Sequence, residues 1–250
     1  MTERIPPLAG LPLAGVVLVT GTGTDIGKTM VTAALAGAAL AAGARVCVVK
    51  PVQTGVLPGE PGDVAEVVRL LGPEPNGLVT QEWVRLPEPL APQAAARRAG
   101  MPLPPLAEHA DRIAALAGDF DLVLVEGAGG LLVRLDDEGG TLADLAVLLR
   151  KSSAGRAEVV RDGPEREAGV VVVTGVELGT LNVTELTVEA LRVRGIPILG
   201  LVVGRWPARP GMVEHGNLAD LPRLTDVRLL GLIPERPPLP VSIDTASVRP

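Results

Sequence analysis

The sequence predicts an α/β fold with three layers, helices on both sides of a mostly parallel central sheet. Three observations predict it. Short runs of apolar residues, VVLV (16–19), LVLV (122–125), VVVV (170–173) and GLVV (200–203), are hydrophobic on consecutive positions. Strands covered on both faces read that way, whereas a strand with one wet face alternates. These runs alternate with longer helical stretches, the order that winds a parallel sheet through right-handed crossovers. A glycine-rich turn joins the first strand to the first helix.

The elements follow in order. A strand at 16–20 leads through the glycine turn into an alanine-rich helix at 27–42. A strand at 45–49 holds the run VCVV, and a helix at 63–71 opens with Asp63 as N-cap and Glu66 three residues on, a variant of the capping box. Helix 105–117, strand 121–126, helix 141–150 and strand 169–174 come next. Helix 182–194, strand 198–203, helix 216–226 and strand 229–233 complete the pattern. Asn182 alone would read as an ordinary helix cap.

One catalytic domain over 15–235 is expected, with a flexible tail at 1–14 and a proline-rich tail at 236–250 that ends without a clear helix. The charged, weakly patterned stretch 151–168 reads as a surface loop inserted before a buried strand.

Composition narrows the function classes. Of 250 residues, 47% are hydrophobic and 1% aromatic, so the core is built from Val, Leu, Ile and Ala. A net charge of −6 argues against a general binder of nucleic acid or membrane surfaces. Cys47 is the single cysteine, which excludes an internal disulfide and a multi-cysteine metal site and fits a reduced, cytoplasmic setting. No apolar run approaches the roughly 18–20 residues of a membrane span. The first residues lack the charged-then-apolar order of a secretory signal.

The glycine turn is TGTGTDIGKT (20–29). Glycines let the backbone approach phosphate oxygens, inward N–H groups donate to them, and the helix N-terminus adds partial positive charge. Lys28 is placed to contact β- and γ-phosphates and the Thr29 hydroxyl to bind Mg²⁺. The spacing departs from G-x-x-x-x-G-K-[ST], because five residues separate Gly21 from Gly27 and three separate Gly23 from Gly27. A dinucleotide fingerprint starting at Gly21 would need glycine where Ile26 stands.

Two more strand ends carry charge. VCVVKPVQTG (46–55) brings Lys50 to the carboxyl end of a strand that Pro51 is expected to stop, with Thr54 and Gly55 in the turn beyond. DLVLVEGAGG (121–130) ends its strand in Glu126, a natural Mg²⁺ ligand. Asp63 reads as a cap that also reaches a cation. His109 and His215 read as surface histidines without a serine or cysteine partner, so triad chemistry is not expected.

Together, VTGTGTDIGKT, KPVQTG, VEGAGGLLV, VELGTLNVTELT and GLVVGRWP resemble the dethiobiotin synthetase family over roughly residues 15–235. The resemblance implies a P-loop NTPase-like fold, and the unusual glycine spacing is that family's form of the loop. It implies a reaction in which 7,8-diaminononanoate takes up CO2 as a carbamate. ATP phosphorylates the carbamate, and the second amine closes the ureido ring.

The resemblance also implies roles. Thr24, Asp25, Ile26 and Gly27 cradle phosphate with Lys28 and Thr29. Asp25 stands where glutamate is frequent. Lys50 contacts the carbamate and the transferred phosphoryl group, and Thr54 hydrogen-bonds the carbamate or amines. Asp63, Glu126 and Thr29 hold Mg²⁺, and Gly129 lines the site. Leu178, Gly179, Thr180, Leu181 and Asn182 receive the substrate carboxylate from the neighbouring subunit, so a homodimer is implied. Gly204 stands where many members carry a base-reading asparagine, with Pro234 and Glu235 on the other base-side loop. Relaxed selectivity among nucleoside triphosphates follows as an expectation.

Three other readings stand beside this one. A partner-positioning ATPase switch of the partition type usually carries an extra lysine near the loop's start, where Thr22 and Gly23 stand. An amidotransferase-coupled cyclase needs a glutaminase cysteine and histidine. A pure nucleotide-binding module leaves Lys50 and Glu126 without a task.

Overall fold

The computed structural model describes residues 14–72, 75–156 and 168–245. Along the chain the elements are β1 (Gly15–Gly21), α1 (Lys28–Ala41), β2 (Val46–Thr54), α2 (Asp63–Leu71), β3 (Leu78–Leu86), α3 (Pro92–Ala99) and α4 (Leu106–Asp119). They continue with β4 (Leu122–Glu126), α5 (Leu142–Arg156), β5 (Gly169–Thr174), α6 (Thr180–Val193), β6 (Ile198–Trp206), α7 (Met212–Thr225) and β7 (Leu229–Pro234). The seven strands form one sheet in the order β3-β2-β4-β1-β5-β6-β7, every neighbouring pair parallel.

The period-two alternation of side chains sorts each central strand between two cores. Val17 and Val19 of β1, Val46 and Val48 of β2, and Leu122 and Leu124 of β4 face the layer of α1 and α2. Val16, Leu18, Cys47, Val49, Val123 and Val125 face the layer of α4, α5 and α6. Each fully buried leucine, such as Leu18, Leu35 or Leu124, contributes about 1.5–3 kcal/mol relative to exposure. The alternation continues past the apolar run. Lys50 and Glu126 occupy the next same-side positions of β2 and β4, so both turn toward α1.

Two elements were not evident in the sequence. β3 is an edge strand paired only with β2, and LVTQEWVRL keeps just Val84 and Leu86 buried, so it lacks a continuous apolar run. α3 is one short segment, PQAAARRA, opened by a proline, whose buried stripe of Pro92, Ala95 and Ala96 is made of small residues. Pro51 does not stop β2, which runs to Thr54. β2 pairs with β4 only as far as Val49–Val125 and with β3 on both sides of position 51. Past Val49 one side of β2 is an edge, where a residue lacking N–H is tolerated.

Other boundaries shift. α6 starts at Thr180 with Gly179 as N-cap, so Asn182 lies inside the helix. α7 starts at Met212, capped by the Glu214 side chain accepting from the Gly211 N–H at 2.7 Å, which puts His215 on a helix. α5 continues to Arg156, so the expected loop at 151–168 begins as helix; its remainder, 157–167, lies outside the described residues. Most of the expected tail at 1–14 and the end of the tail at 236–250 also lie outside them. Val241 and Ile243 are buried in the α1-side core, and Leu232 bridges Asp244.

Candidate active site

The carboxyl ends of β1, β2 and β4 open into a cleft of about 490 Å³. Its first wall is the phosphate loop. The Thr22 N–H donates to the Val173 carbonyl at 3.0 Å and fixes the loop to β5. Asp25 (φ 57°) and Gly27 (φ 94°) are left-handed, which turns successive N–H groups inward. A Cβ on Gly27 would lie 2.2 Å from the Gly204 carbonyl oxygen, and one on Gly204 would lie 2.0 Å from that of Ile26. The loop and the end of β6 are therefore in direct backbone contact, which only glycine permits at both positions. Lys28, 8% exposed, folds back and donates to the Gly23 carbonyl at 2.8 Å.

The floor is ionic. Lys50 Nζ lies 2.9 Å from Glu126 Oε1 and 2.5 Å from Asp63 Oδ2, and it donates to the Gly127 carbonyl at 3.0 Å. Thr29 Oγ1 donates to Glu126 Oε1 at 3.0 Å, and Thr32 Oγ1 lies 2.8 Å from Oε2. Burial alone pulls the Lys50 ammonium down, but Glu126 and then Asp63 outweigh it and hold its pKa above the ordinary lysine value. Lys28 shifts the other way. Burial comes first, repulsion from Lys50 adds to it, and its more distant carboxylates do not compensate.

Asp63 reaches the floor because it does not cap its own helix. Gly62 is the N-cap, without a side-chain cap bond, and Asp63 is the first helical residue. The Asp63 N–H donates to Gln53 Oε1 at 2.8 Å and the Val64 N–H to Glu82 Oε1 at 3.4 Å. Side chains from β2 and β3 thus satisfy the helix start and free the Asp63 carboxylate for Lys50. The capping-box reading of Asp63 is replaced by this arrangement, and Glu66 pairs with Arg69.

Thr24, Asp25, Gly27, Lys28, Thr29, Lys50, Thr54, Asp63, Glu126 and Gly129 line the cleft. Ile26 is half-buried in the loop beside them. Gly204 stands behind the loop, and Pro234 and Glu235 lie at the end of β7, where the Glu235 N–H donates to the Trp206 carbonyl at 2.7 Å. Leu178, Gly179, Thr180, Leu181 and Asn182 do not line this cleft. Leu178 is 90% exposed, while the Thr180 hydroxyl is turned inward onto the Gly175 carbonyl and Thr174.

Three residues were missed. Thr32 is a second hydroxyl one turn after Thr29, a spacing that could have flagged it. Gln53 stands in the quoted KPVQTG segment. Arg205 lines the cleft next to Gly204, and no sequence signal singled it out. His109 is not on the surface. It is fully buried and stacked on Trp83, centroids 5.4 Å apart, because α4 turns it toward β3. His215 is exposed and meets Trp206 edge-on.

Two carboxylates and a hydroxyl at one cleft, all hard oxygen donors, suit a Mg²⁺ ion that keeps waters and phosphate oxygens in its remaining positions. Among the described residues there is no group of three or more His, Cys, Asp or Glu side chains that would hold a metal unaided. No helix among them is long and apolar enough to cross a membrane.

Comparison with known proteins agrees with this geometry. An AAA domain family model matches residues 16–152 and 165–241. The chain is similar to the ATP-dependent dethiobiotin synthetase BioD of Streptomyces avermitilis, 52% identical over 88% of this chain and 83% of that protein. It is likewise similar to those of Rhodococcus jostii (51%, covering 88% and 86%) and Saccharopolyspora erythraea (53%, covering 88% and 87%). Among solved structures, the septum site-determining protein MinD of Pyrococcus horikoshii, complexed with Mg-ADP, superposes with a TM-score of 0.53 at 18% identity, over 89% of this chain and 82% of that one. The cell division ATPase MinD of Pyrococcus furiosus does so at 0.53 and 20%, over 89% and 84%. At such identities the MinD likeness speaks for the three-layer fold alone, whereas half-identity along most of the chain, with a phosphate loop, two lysines and two carboxylates in one cleft, shows that the chain belongs to the ATP-dependent dethiobiotin synthetase family.

Proposed function

We propose that this dethiobiotin synthetase carries out its chemistry in the cleft between Lys28 and Lys50. The observation that carries the reading is the juxtaposition of Lys50, Asp63, Glu126 and Thr29 beside the phosphate loop. An amine of 7,8-diaminononanoate adds to CO2 and loses a proton, giving a carbamate. A carbamate oxygen attacks the γ-phosphorus of the nucleoside triphosphate, and the diphosphate leaves. The second amine attacks the carbonyl carbon of the mixed anhydride and loses a proton, phosphate leaves, and the ureido ring closes.

The obstacle is the meeting of two anions. Lys50, held charged by its carboxylates, faces the carbamate and the transferred phosphoryl group. Lys28 and the N–H groups of Thr24 to Thr29 neutralise and orient the phosphates. Catalysis of this kind is positioning plus electrostatic stabilisation. A Mg²⁺ ion held by Thr29, Asp63 and Glu126 would supply further charge neutralisation at the phosphate oxygens. Thr54 and the Gly129 N–H face the carbamate end.

The start of α6, Leu178 to Asn182, binds the substrate carboxylate of a partner subunit in a homodimer. Support comes from its absence from the lining of its own chain's cleft and from the exposure of Leu178 (90%) beside it and of Leu186 (56%) and Val193 (79%) further along the same helix. Gly204 offers no amide to a base edge, so Pro234, Glu235 and backbone groups bound the base, and several nucleoside triphosphates are accepted. A reduced cytoplasm is the expected setting, in keeping with Cys47, whose thiol burial pushes up to about 11.

The test is a direct assay of diaminononanoate, bicarbonate and nucleotide. Dethiobiotin and phosphate in equal amounts are expected, and absence of both rejects the reading. Parallel turnover with ATP, CTP and GTP checks base selectivity, and a strong preference for ATP rejects the relaxed-base reading.

A further inference from the structure

Thr32 lies outside the cleft, fully buried on α1, one turn beyond Thr29. Its hydroxyl oxygen is 3.0 Å from the Lys28 carbonyl and 2.8 Å from Glu126 Oε2. Both are acceptors and the hydroxyl has one proton. The Lys28 carbonyl lies at a helical position where the N–H four residues on is its ordinary donor. The carboxylate is charged, nearer and only 2% exposed, so the proton goes to Glu126.

We infer that Thr32 is a positioning residue for Glu126, fixing the plane of its carboxylate and so the position of the oxygen that faces the cleft. The last torsion of a glutamate is broad, so covalent geometry leaves that plane open. The structure decides it from two sides. Thr29 and Lys50 donate to Oε1, and Thr32 donates to Oε2. Residues three apart share a helix face, so one turn of α1 grips both oxygens of a single carboxylate. A threonine in a helix has few rotamers, which makes the grip stiff. Without the Thr32 hydroxyl, Oε2 stays buried and charged, and the carboxylate turns to share the donors of Oε1. The oxygen presented to the cleft then moves.

This inference rests on the proposed role of Glu126 as a Mg²⁺ ligand. The test is calorimetric binding of a non-hydrolysable ATP analogue in excess Mg²⁺ and in EDTA, the ratio of the two dissociation constants being the readout. In the wild type Mg²⁺ tightens binding, and Glu126→Gln abolishes that gain. Thr32→Val, close in shape, is expected to lose about tenfold of the gain while keeping the wild-type constant in EDTA. Thr32→Ser is expected to restore it to within about threefold. A Thr32→Val protein with the full gain, or one weakened equally in EDTA, overturns the inference. Should Thr32→Val fail to fold, Thr32→Ala against Thr32→Ser decides the matter: an equal gain in the two overturns it, and about tenfold less in Thr32→Ala supports it. Equal ratios in wild type and Glu126→Gln overturn the reading of Glu126 as a ligand, and this inference with it. An intact ratio in Thr32→Val beside a lost one in Glu126→Gln overturns this inference alone.

Discussion

Lys50 and His109 are both buried basic side chains, and their surroundings send them in opposite directions. Lys50, 3% exposed, meets Glu126 and Asp63 and keeps its charge above the ordinary lysine range. His109, fully buried, has no hydrogen-bond partner at either ring nitrogen and lies flat on Trp83. Burial pushes its pKa below the ordinary histidine value, with Arg112 adding to the push, and Glu108 and Asp136 do not outweigh them. Desolvation is the first force in both places. What differs is whether opposite charge was buried alongside, and that separates a group that can neutralise a phosphate from one that serves as an aromatic plate.

The comparison breaks most visibly at Lys50. Lys50→Met leaves the Glu126 carboxylate buried without its cation, which costs about 3–5 kcal/mol in urea unfolding at neutral pH. Turnover falls with it while nucleotide affinity changes less. A loss under about 1 kcal/mol would show that the ion pair is not what holds the floor. Lys28 sharpens the contrast, because its close partner is the Gly23 carbonyl and not a carboxylate. Lys28→Ala is expected to lower kcat by roughly 10³-fold through lost charge compensation, and near-normal turnover would contradict its role.

His109 gives a smaller effect with a defined sign. Its folded pKa lies below the unfolded value near 6.5, so between the two the unfolded chain binds more protons and stability falls as pH drops. His109→Phe keeps the ring on Trp83 and is expected to flatten the decline of Tm below pH 6.5. An unchanged slope would place the acid sensitivity elsewhere. The smallest effect is expected at Arg205, exposed at the cleft rim. Arg205→Ala should weaken nucleotide binding a few-fold by calorimetry and leave unfolding within about 0.5 kcal/mol.

Much of this could be read from the sequence because buried parallel strands are apolar on every residue. β1, β2, β4, β5, β6 and β7 showed themselves that way, and so did the phosphate loop that follows β1. β3 escaped because its faces are only partly covered, Val84 and Leu86 alone being buried, and α3 because it spans only two turns whose apolar positions are a proline and small alanines. At the site, Lys28 and Thr29 were legible at the helix start after the glycine turn, and Lys50 and Glu126 as charged residues toward strand ends. Their pairing was less so. Whether Asp63 caps its helix or faces Lys50 depends on Gln53 and Glu82, which come from two other strands. The grip of Thr32 on Glu126 spans a sequence separation of 94, which no local pattern encodes.

The abutment of Gly27 on Gly204 bears on any attempt to retune this enzyme. An asparagine introduced at 204 to read adenine would not simply add an amide to an open surface. Its Cβ would press on the Ile26 carbonyl, and the turn that wraps the phosphates would have to give way. On the proposed reading of Gly204 as a base-side position, nucleobase preference and phosphate grip are mechanically joined at this junction, so sequence changes that alter one must travel as a set with changes to the other.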